Sequence, residues 1–437
     1  MRKEKVLLQL ALDFVDLPRA INVAREAVKA GCDIVEVGTP LIKSEGMNAI
    51  RKIREILPSK VKVVADMKTM DVGRIEVEIA AKSGANIVGV LGAASLETIK
   101  EAIKAARNYG CEIVVDMIEV RDVAKKVKEI LELGSEYRPD YFGIHIPIDE
   151  QMKGKFNFQQ IKQIKSITGV PVSIAGGINS RTAVDAVRAG ADIIIVGGAI
   201  TKSQDVFKSV KELKTAINKK VRISSLLYNR IGEIKQIRKI LSLVSTANIS
   251  DAMHRAIPVQ GLVAICEGLK VIGKVVTVRT YSGDWSKPVQ AIDVAEEGDV
   301  IVVDAGGVPP AVWGELATNS AIKCKLGGVI IWGGIRDVSE IKKLHFPAFA
   351  KVITPQAGEP KGFGEINVPI TISGVKVFPG DWIVGDDDGV MIIPKNDIVE
   401  VTNRAMDVLE RENRLRKEIA SGSTLAKTAY LSKWDKK

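Results

Sequence analysis

Short apolar strands alternate with amphipathic helical segments over the first half of the chain. Four segments share one order: a small residue, a glycine, a small residue, a polar residue and then an apolar run rich in β-branched residues. They are residues 30–37, 83–90, 109–116 and 189–196. In each, the glycine is placed to end a helix in the left-handed conformation, and a strand follows at once. The glycines recur at multiples of roughly 26 residues, the size of one strand plus one helix.

This repeat predicts a closed barrel. About eight such units fit into the first ~215 residues, and apolar, β-branched strands are typical of parallel strands that are covered on both faces. We therefore predict an α/β fold whose N-terminal part is a (β/α)8 TIM barrel. An open, doubly wound sheet is the alternative, but it would need a polar edge strand, and the sequence contains no clear candidate.

The pattern changes after residue 217, which predicts a second domain. The chain has 437 residues, too many for one ordinary hydrophobic core. Residues 231–244 have helical periodicity, and strand-like runs then return without the earlier repeat at 269–281, 300–305, 328–332 and 382–393. We predict a barrel over residues 1–217, a linker and helix over 218–240, and a second domain with a helical tail over 241–437.

Composition restricts the classes of function. Hydrophobic residues make up 46% of the chain, which predicts a folded protein, and no apolar run is long enough to span a membrane. The four cysteines, at positions 32, 111, 266 and 324, have no metal-type spacing, which favours a reducing cytoplasm. The net charge is +10, but the basic residues are dispersed and aromatic residues amount to only 5%, so nucleic acid is not an expected partner.

Candidate chemistry lies where the predicted barrel strands end, because active sites of such barrels lie at the C-terminal ends of the strands. In chain order these ends carry Asp13, Glu36, Asp66 with Lys68, Gly92, Asp116, His145, Gly176 with Gly177, and Gly197 with Gly198. Three acids in one barrel mouth repel one another unless a cation offsets them. A few oxygen ligands, completed by a phosphorylated substrate, suit Mg²⁺.

Each of these features also has a purely structural interpretation. Asp66 and Lys68 are two residues apart on a strand, so they can form a plain salt bridge. A lone histidine such as His145 is often structural. The glycine pairs can simply allow tight turns, although two pairs on neighbouring strands favour a phosphate site.

Glycine-rich segments in the second half mark another candidate site. Residues 314–317 open a predicted helix, and residues 327–337 form an apolar strand that ends in Arg336 and Asp337. An acid, here Glu315, with an arginine and an aspartate near backbone N–H groups can hold a metal ion and a ligand that carries a carboxylate. The alternative is a structural pair between the arginine and an acid.

The acidic run at residues 386–388 invites a metal-binding interpretation. Gly389 and a further strand follow directly. Aspartates in this setting favour a hairpin turn. We therefore predict a turn, with a metal site as the alternative.

The motif Asp66-x-Lys68-x-x-Asp71, with Asp13 before it and Glu36 between, resembles that of the orotidine 5′-monophosphate decarboxylase superfamily. The resemblance extends over about residues 1–215. Two Mg²⁺-using branches of this superfamily are 3-hexulose-6-phosphate synthase and 3-keto-L-gulonate 6-phosphate decarboxylase.

A short stretch after His145 favours the synthase branch. Ile148 stands where the decarboxylase branch typically has an arginine, and residues 149–151 are similar to the synthase pattern. The chain departs from that pattern at residues 146–147, where the synthase usually has Thr-Gly, and at Gly198, where an arginine is often found. Phosphate binding is therefore expected to depend more on the backbone.

The resemblance implies an aldehyde-lyase that reversibly condenses formaldehyde with D-ribulose 5-phosphate. It implies that Glu36 and Asp66 hold Mg²⁺, with Mn²⁺ as an alternative, to stabilise a negative enediolate. Lys68 would add a second positive charge, and His145 would move the proton at the reacting carbon. The decarboxylase reaction is the alternative for this barrel.

The remaining barrel residues receive roles from the same resemblance. Asp13 would position Lys68 or a sugar hydroxyl, and Asp71 would reach into the neighbouring subunit's site, which implies a dimer. The expected phosphate-binding residues are Gly176, Gly177, Gly197 and Gly198.

The second half, about residues 240–420, resembles the RraA-like family. The Gly-Gly-x-x-Arg-Asp pattern that ends at Asp337 and the stretch 379–390 carry the resemblance. This family includes the ribonuclease-activity regulator and class II pyruvate aldolases that act on 4-hydroxy-4-methyl-2-oxoglutarate. The resemblance implies an αββα swivelling domain that forms trimeric rings.

Glu315, followed by twenty residues and then Arg336-Asp337, matches the aldolase arrangement. The resemblance implies that Glu315 and Asp337 hold Mg²⁺ or its waters. A pyruvate-like carboxylate would be bound by Gly314, Leu316, Ala317 and Arg336. A non-catalytic regulator is the alternative for this half. Barrel dimers joined to trimeric rings predict a hexamer or larger assembly of a bifunctional enzyme.

Overall fold

The computed structural model describes residues 5–153, 158–223, 230–231, 236–429 and 431. The chain forms two compact units. The first comprises Met1–Gln151, Lys155–Arg230 and Glu410–Lys437, and the second comprises Met152–Gly154 and Ile231–Leu409. The predicted linker lies partly at 224–229 and 232–235, outside the described residues.

The first unit contains a closed barrel of eight parallel strands in chain order. The strands are β1 (Leu7–Leu12), β2 (Ile34–Val37), β3 (Lys62–Thr69), β4 (Ile87–Leu91), β5 (Glu112–Asp116), β6 (Tyr141–His145), β7 (Val172–Ala175) and β8 (Ile193–Val196). Pairing of β1 with β8, from Leu7 opposite Ile193 onward, closes the barrel. The predicted TIM barrel is therefore confirmed, and the open sheet is excluded.

Helices connect the barrel strands and cover their outer face. They are α1 (Leu17–Lys29), α2 (Thr39–Glu45), α3 (Asn48–Ile56), α4 (Gly73–Lys82), α5 (Leu96–Tyr109), α6 (Val123–Leu131), α7 (Ile148–Met152), α8 (Gln159–Ile167), α9 (Ala183–Ala189), α10 (Gly198–Thr201) and α11 (Val206–Lys219), with a 3-10 turn at Ser135–Tyr137. All four repeat glycines adopt positive φ, from +68° at Gly110 to +104° at Gly190. The predicted helix ends are thus confirmed.

The second unit is built on a mixed sheet. Its strands are β9 (Val263–Ala264), β10 (Val271–Arg279), β11 (Val300–Asp304), β12 (Ala311–Trp313), β13 (Gly328–Ile335), β14 (Ala348–Ile353), β15 (Glu365–Ile366), β18 (Trp382–Asp386) and β19 (Gly389–Ile393), with a separate hairpin of β16 (Ile370–Ile372) and β17 (Val375–Val377). Along the described chain their order is β19-β18-β10-β11-β13-β14-β9, with β12 beside β13 and β15 beside β10. The strands β10, β11, β13 and β14 pair in parallel.

Both faces of this sheet are buried. Along β11, Ile301 and Val303 belong to one apolar cluster, whereas Val300 and Val302 belong to the other. Such alternation between two cores explains why the strand reads as a continuous apolar run. The helices of this unit are α12 (Ile237–Leu241), α13 (Thr246–Ala252), α14 (Ser286–Val294), α15 (Glu315–Lys323) and α16 (Val338–Lys343).

The C-terminal tail is helical, as predicted, with α17 (Ile398–Ala420) and α18 (Leu425–Thr428) separated by Gly422 at φ +98°. Among the described residues, no helix has the length and apolar character needed to cross a membrane.

Candidate functional site

Lys68 lies at the centre of a charge cluster in the barrel mouth. Its Nζ is 2.6 Å from Asp66 Oδ1 and 2.9 Å from Asp116 Oδ2. The β3–β4 register shifts between Ala65 and Thr69, and Lys68 has a left-handed φ of +53°. For a residue other than glycine this conformation costs of order 1–3 kcal/mol, and such strain is concentrated at functional sites. The salt-bridge interpretation of the Asp66–Lys68 spacing is correct as geometry, but the bridge is part of a larger cluster.

The cluster fixes the charges of its members. Burial lowers the pKa of Lys68, but the carboxylates of Asp116 and Asp66 outweigh burial and raise it, so Lys68 is a cation at neutral pH. Burial opposes ionisation of Asp116, but His145 and Lys68 lower its pKa. An ammonium group between two carboxylates therefore stands beside the imidazole.

His145 ends β6 and faces the same acid. Its Nδ1 lies 3.6 Å from Asp116 Oδ2, close enough for an electrostatic interaction but longer than a hydrogen bond. The side chain is partly exposed and lines the same cavity as Lys68 and Asp66. The structure thus brings the predicted histidine to the predicted lysine through Asp116.

Glu36 is a buried acid next to this cluster. Its Oε2 accepts a hydrogen bond of 2.5 Å from Gln9 Nε2. Burial, followed by the carboxylates of Asp66 and Asp13, raises the pKa of Glu36 well above its usual value. Asp13 is exposed at the barrel mouth, but the protein atoms around its carboxyl group still remove part of its hydration. This desolvation, followed by the carboxylate of Asp66, raises the pKa of Asp13 as well. The predicted repulsion among the three acids is therefore present.

Asp66 is held on its other side by Thr39. The Thr39 hydroxyl lies 2.8 Å from both the Asp66 carbonyl oxygen and Asp66 Oδ2. The carboxylate therefore has fixed partners on both oxygens, Lys68 and Thr39. Carboxylate oxygens of this kind lie beside Glu36, whose ionisation is unfavourable without a nearby positive charge. Together they fit a divalent cation.

The glycine pairs lie at the same mouth. Gly176 and Gly177 have φ values of +103° and +64°. A methyl group on Gly197 would lie 3.4 Å from Asp13 Oδ2, and one on Gly198 would lie 3.9 Å from Lys202 Nζ. The Lys202 side chain therefore runs beside the second glycine pair and supplies a positive charge there.

Asp71 is separate from this cluster. It is exposed, and its Oδ1 accepts a hydrogen bond of 2.7 Å from the Val72 N–H. It does not line the barrel cavity, so within one described chain it is not brought to Lys68.

Several residues of the site were not selected from the sequence. Asp116 appeared only as one strand end among others, although its place between Lys68 and His145 makes it central. Lys202 follows Gly198 by four residues, one helical turn, which was an available signal. The sequence offered no signal for Gln9 and Thr39, because their partners are distant along the chain.

The second unit carries its own cavity. It is lined by the predicted residues Gly314, Glu315, Leu316, Ala317, Arg336 and Asp337, together with Trp285, Val289, Ala311, Val312, Trp313, Ser320 and Gly358. As predicted, Glu315 opens a helix, and its N–H donates to Asp337 Oδ2 at 3.2 Å. Arg336 Nε lies 3.5 Å from the same oxygen. The acid, the arginine and the helix-opening residues therefore share one site.

The acidic run at residues 386–388 forms the predicted turn between β18 and β19. Asp386 Oδ2 accepts the Thr246 N–H at 2.8 Å, and Asp386 Oδ1 accepts the Asp388 N–H at 3.2 Å. Within the described ranges, no group of three or more His, Cys, Asp or Glu residues is arranged to hold a metal ion. A pair of acids completed by substrate oxygens is a smaller set, so the Mg²⁺ expectations stay predictions.

An eight-stranded parallel barrel with an acid–lysine–histidine cluster at its strand ends is typical of TIM-barrel enzymes. In this chain a second α/β unit follows the barrel. The chain belongs to the orotidine 5′-phosphate decarboxylase / HUMPS family, whose model matches residues 7–213. Residues 246–392 match the RraA-like family, described as Aldolase/RraA. Both predicted resemblances are confirmed.

Named relatives match the first half of the chain. A 3-hexulose-6-phosphate synthase from Bacillus subtilis is 40% identical over 211 residues, which is 48% of this chain and 98% of the relative. One from Mycobacterium gastri is 38% identical over 210 residues, 48% of this chain and 99% of the relative. A crystal structure of 3-hexulose-6-phosphate synthase from Salmonella typhimurium is 36% identical, covers 49% of this chain and 99% of its own, and has a TM-score of 0.46.

Proposed function

We propose that the barrel is a 3-hexulose-6-phosphate synthase that reversibly condenses formaldehyde with D-ribulose 5-phosphate. One observation carries the proposal: Asp116 links Lys68 and His145 in the cavity that also contains Glu36 and Asp66. The names of relatives that are about 40% identical over the barrel support the same reaction.

The reaction must stabilise a negative enediolate. Lys68 is held as a cation by two carboxylates, so it acts as a positive charge and not as a base. His145 takes the proton from C1 of the sugar and later returns it to the new hydroxyl group. Asp116 beside Nδ1 orients the ring, which leaves Nε2 for the substrate.

Glu36 and Asp66 would hold a Mg²⁺ ion, or Mn²⁺. The ion would supply positive charge to the enediolate oxygens. The fit rests on the donor set of two neighbouring carboxylates, one of which resists ionisation because it is buried and because its neighbours are acidic. Thr39 and Gln9 would keep the two carboxylates in place.

The substrate phosphate would lie at the glycine turns. Gly176-Gly177 and Gly197-Gly198 let backbone N–H groups approach an anion. Lys202 stands beside Gly198, where the family often has an arginine, and would provide the charge that this position lacks.

A second copy of the chain would complete the barrel site. Exposed apolar side chains surround Asp71 and continue along α4: Met70, Val72, Ile75 and Ile79 are 55%, 55%, 57% and 39% exposed. Ile75 and Ile79 are one helical turn apart, so they share a face. Such a stripe suits a contact with another barrel. Asp71 would then lie at the partner's mouth.

The full chain can be assayed with formaldehyde and D-ribulose 5-phosphate, with Mg²⁺ or with a chelator. Metal-dependent loss of formaldehyde, absent in Lys68→Met, is the expected result. Release of CO₂ from 3-keto-L-gulonate 6-phosphate without formaldehyde consumption would instead establish the decarboxylase alternative. The exposed Ile148, at the position of that branch's arginine, argues against the decarboxylase.

For the second unit we propose a class II aldolase that cleaves a 4-hydroxy-2-oxo acid. The supporting observation is the cavity in which Arg336 and Asp337 meet the opening of α15. Arg336 would bind the substrate carboxylate, and Glu315 with Asp337 would hold Mg²⁺ or its waters.

The assay for this unit uses the full chain with 4-hydroxy-4-methyl-2-oxoglutarate and Mg²⁺ or Mn²⁺. Pyruvate should appear, and Arg336→Lys should reduce its rate because a lysine cannot make the bidentate contact. The barrel activity of that variant serves as the control. A chain that releases no pyruvate from any 4-hydroxy-2-oxo acid, while its barrel is active, would favour the regulator alternative.

A further inference from the structure

The interior of the barrel contains a buried hydroxyl group that has no hydrogen-bond partner among the described residues. Ser173, on β7, is 2% exposed. Among the residues that the structure describes, none makes a hydrogen bond with its Oγ. Ser173 lines the same cavity as Lys68, Asp116 and His145. A buried hydroxyl without a partner lowers stability, so a ligand that satisfies it is a physical reason for its presence.

Ser173 lies one inward-facing layer below the reacting groups. His145 pairs with Ala175, whereas Ser173 pairs with Gly143, two residues deeper on each strand. Two residues of a β-strand span about 6–7 Å. The hydroxyl therefore points into the floor of the site, below the level at which the sugar would contact His145 and the carboxylates.

Space above this hydroxyl is left by missing side chains. Gly143 and Gly89 both line the cavity. A methyl group on Gly143 would lie 3.4 Å from Ser173 Oγ and 3.3 Å from a methyl group of Val114. The β8 residue that pairs with Ser173 is the apolar Ile193, and Val64 and Ile195 are further apolar members of the cavity lining. The floor thus suits a very small, uncharged molecule that accepts one hydrogen bond.

We propose that Ser173 binds the carbonyl oxygen of the small aldehyde, a subsite that rests on the proposed synthase function. Three lengths add up to about 7 Å: the hydrogen bond to that oxygen, the C=O bond, and the distance at which the aldehyde carbon can react with C1. That span matches the depth of Ser173 below the layer of His145. Formaldehyde bound there lies beneath C1 of the enediolate.

The step is balanced without any further reactant. The enediolate C1 attacks the aldehyde carbon, and the electron pair of the C=O bond moves to oxygen. Ser173 donates a hydrogen bond to that oxygen as its charge grows and keeps its own proton. The proton that His145 removed from C1 then passes to the alkoxide, which becomes the new hydroxyl group.

The test separates the two halves of the reaction in the full chain. Exchange of the C1 proton of D-ribulose 5-phosphate in deuterium oxide, followed by NMR, reports enediolate formation without aldehyde. Condensation reports both halves. For Ser173→Ala we expect kcat/KM for formaldehyde to fall about tenfold or more, because a donor to a developing alkoxide is lost. The exchange rate and the KM for the sugar should change less than about twofold, because the donor acts only on the aldehyde.

A second variant tests whether the aldehyde needs the space beside Ser173. Gly143→Ala narrows the floor beside Ser173 and should also raise the KM for formaldehyde while exchange continues. The melting temperature of Ser173→Ala should be unchanged or higher, because an unsatisfied group is removed. Equal loss of exchange and condensation, or no loss of either, would overturn the subsite. If the wild-type protein exchanges the C1 proton without condensation, or catalyses neither reaction, the synthase function itself is refuted. This outcome is recognised before any variant is made.

Discussion

The Oδ2 atom of Asp116 lies 2.9 Å from Lys68 Nζ and also faces the imidazole of His145. The Asp116 carboxylate thus favours the charged form of Lys68 and orients the His145 imidazole, which transfers the proton. In Asp116→Asn, Lys68 keeps only the carboxylate of Asp66, and His145 loses the carboxylate that faces its Nδ1. We expect kcat for condensation to fall about 100-fold, with the fold retained.

A carboxylate on the barrel surface provides the control for Asp116→Asn. Glu97→Gln removes an exposed acid of α5, and its kcat should equal that of the wild type. An Asp116→Asn variant with wild-type kcat would remove Asp116 from the mechanism.

The metal-free protein should lose stability as pH rises. Burial and the carboxylates of Asp66 and Asp13 raise the pKa of Glu36 well above its usual 4.5. The folded state then binds this proton more tightly than the unfolded state, so the contribution to stability is present at low pH and is lost as pH rises through the folded pKa. As pH rises above the usual carboxyl pKa, the melting temperature in chelator should fall more steeply for the wild type than for Glu36→Gln.

Mg²⁺ should reverse this loss, because it binds the ionised carboxylates. Its effect on the melting temperature should be larger at the higher pH and much smaller in Glu36→Gln. Parallel pH profiles for the two proteins, or an equal Mg²⁺ effect in both, would contradict the assignment of Glu36.

Lys202 should determine affinity for the phosphorylated sugar. In Lys202→Met we expect the KM for D-ribulose 5-phosphate to rise about tenfold with little change in kcat, because the lost charge contacts phosphate and not the reacting carbon. Inorganic phosphate should also inhibit this variant more weakly. Lys202→Arg should retain most of the affinity, and Lys208→Met, an exposed lysine on α11, is the matched control. An unchanged KM in Lys202→Met would exclude the contact.

The exposed stripe on α4 should hold two barrels together. Ile75→Glu places a charge in its centre and should dissociate the barrel dimer, which light scattering would detect against a chain mass of 47.2 kDa. Phe207→Glu, on the exposed face of α11, should leave the assembly unchanged. Activity should fall with dissociation if Asp71 completes the partner's site. A wild-type chain that is a monomer in solution would refute both the dimer and the predicted hexamer.

The barrel and the positions of its acids could be predicted because periodicity is a local property of the chain. Repeated glycines mark the helix ends, and every predicted strand-end residue from Asp13 to Gly198 follows from counting strands. The bridging role of Asp116 could not be predicted, because it depends on the angle at which three strand ends face one another. The left-handed φ of Lys68 and the Ser173 hydroxyl, which has no partner within the described part of the chain, likewise depend on packing.

The first unit is formed by separate segments of the chain, and this has a consequence for the synthesis of the protein. Residues 410–429 belong to the same compact unit as the barrel, where Glu418 pairs with Arg19 and Glu410 pairs with Arg230. A ribosome releases these residues long after the eight strands have left the tunnel. The barrel unit therefore reaches its final packing only after the second unit has been synthesised, and a gene fragment that stops at residue 217 encodes the strands without the segment that completes the unit.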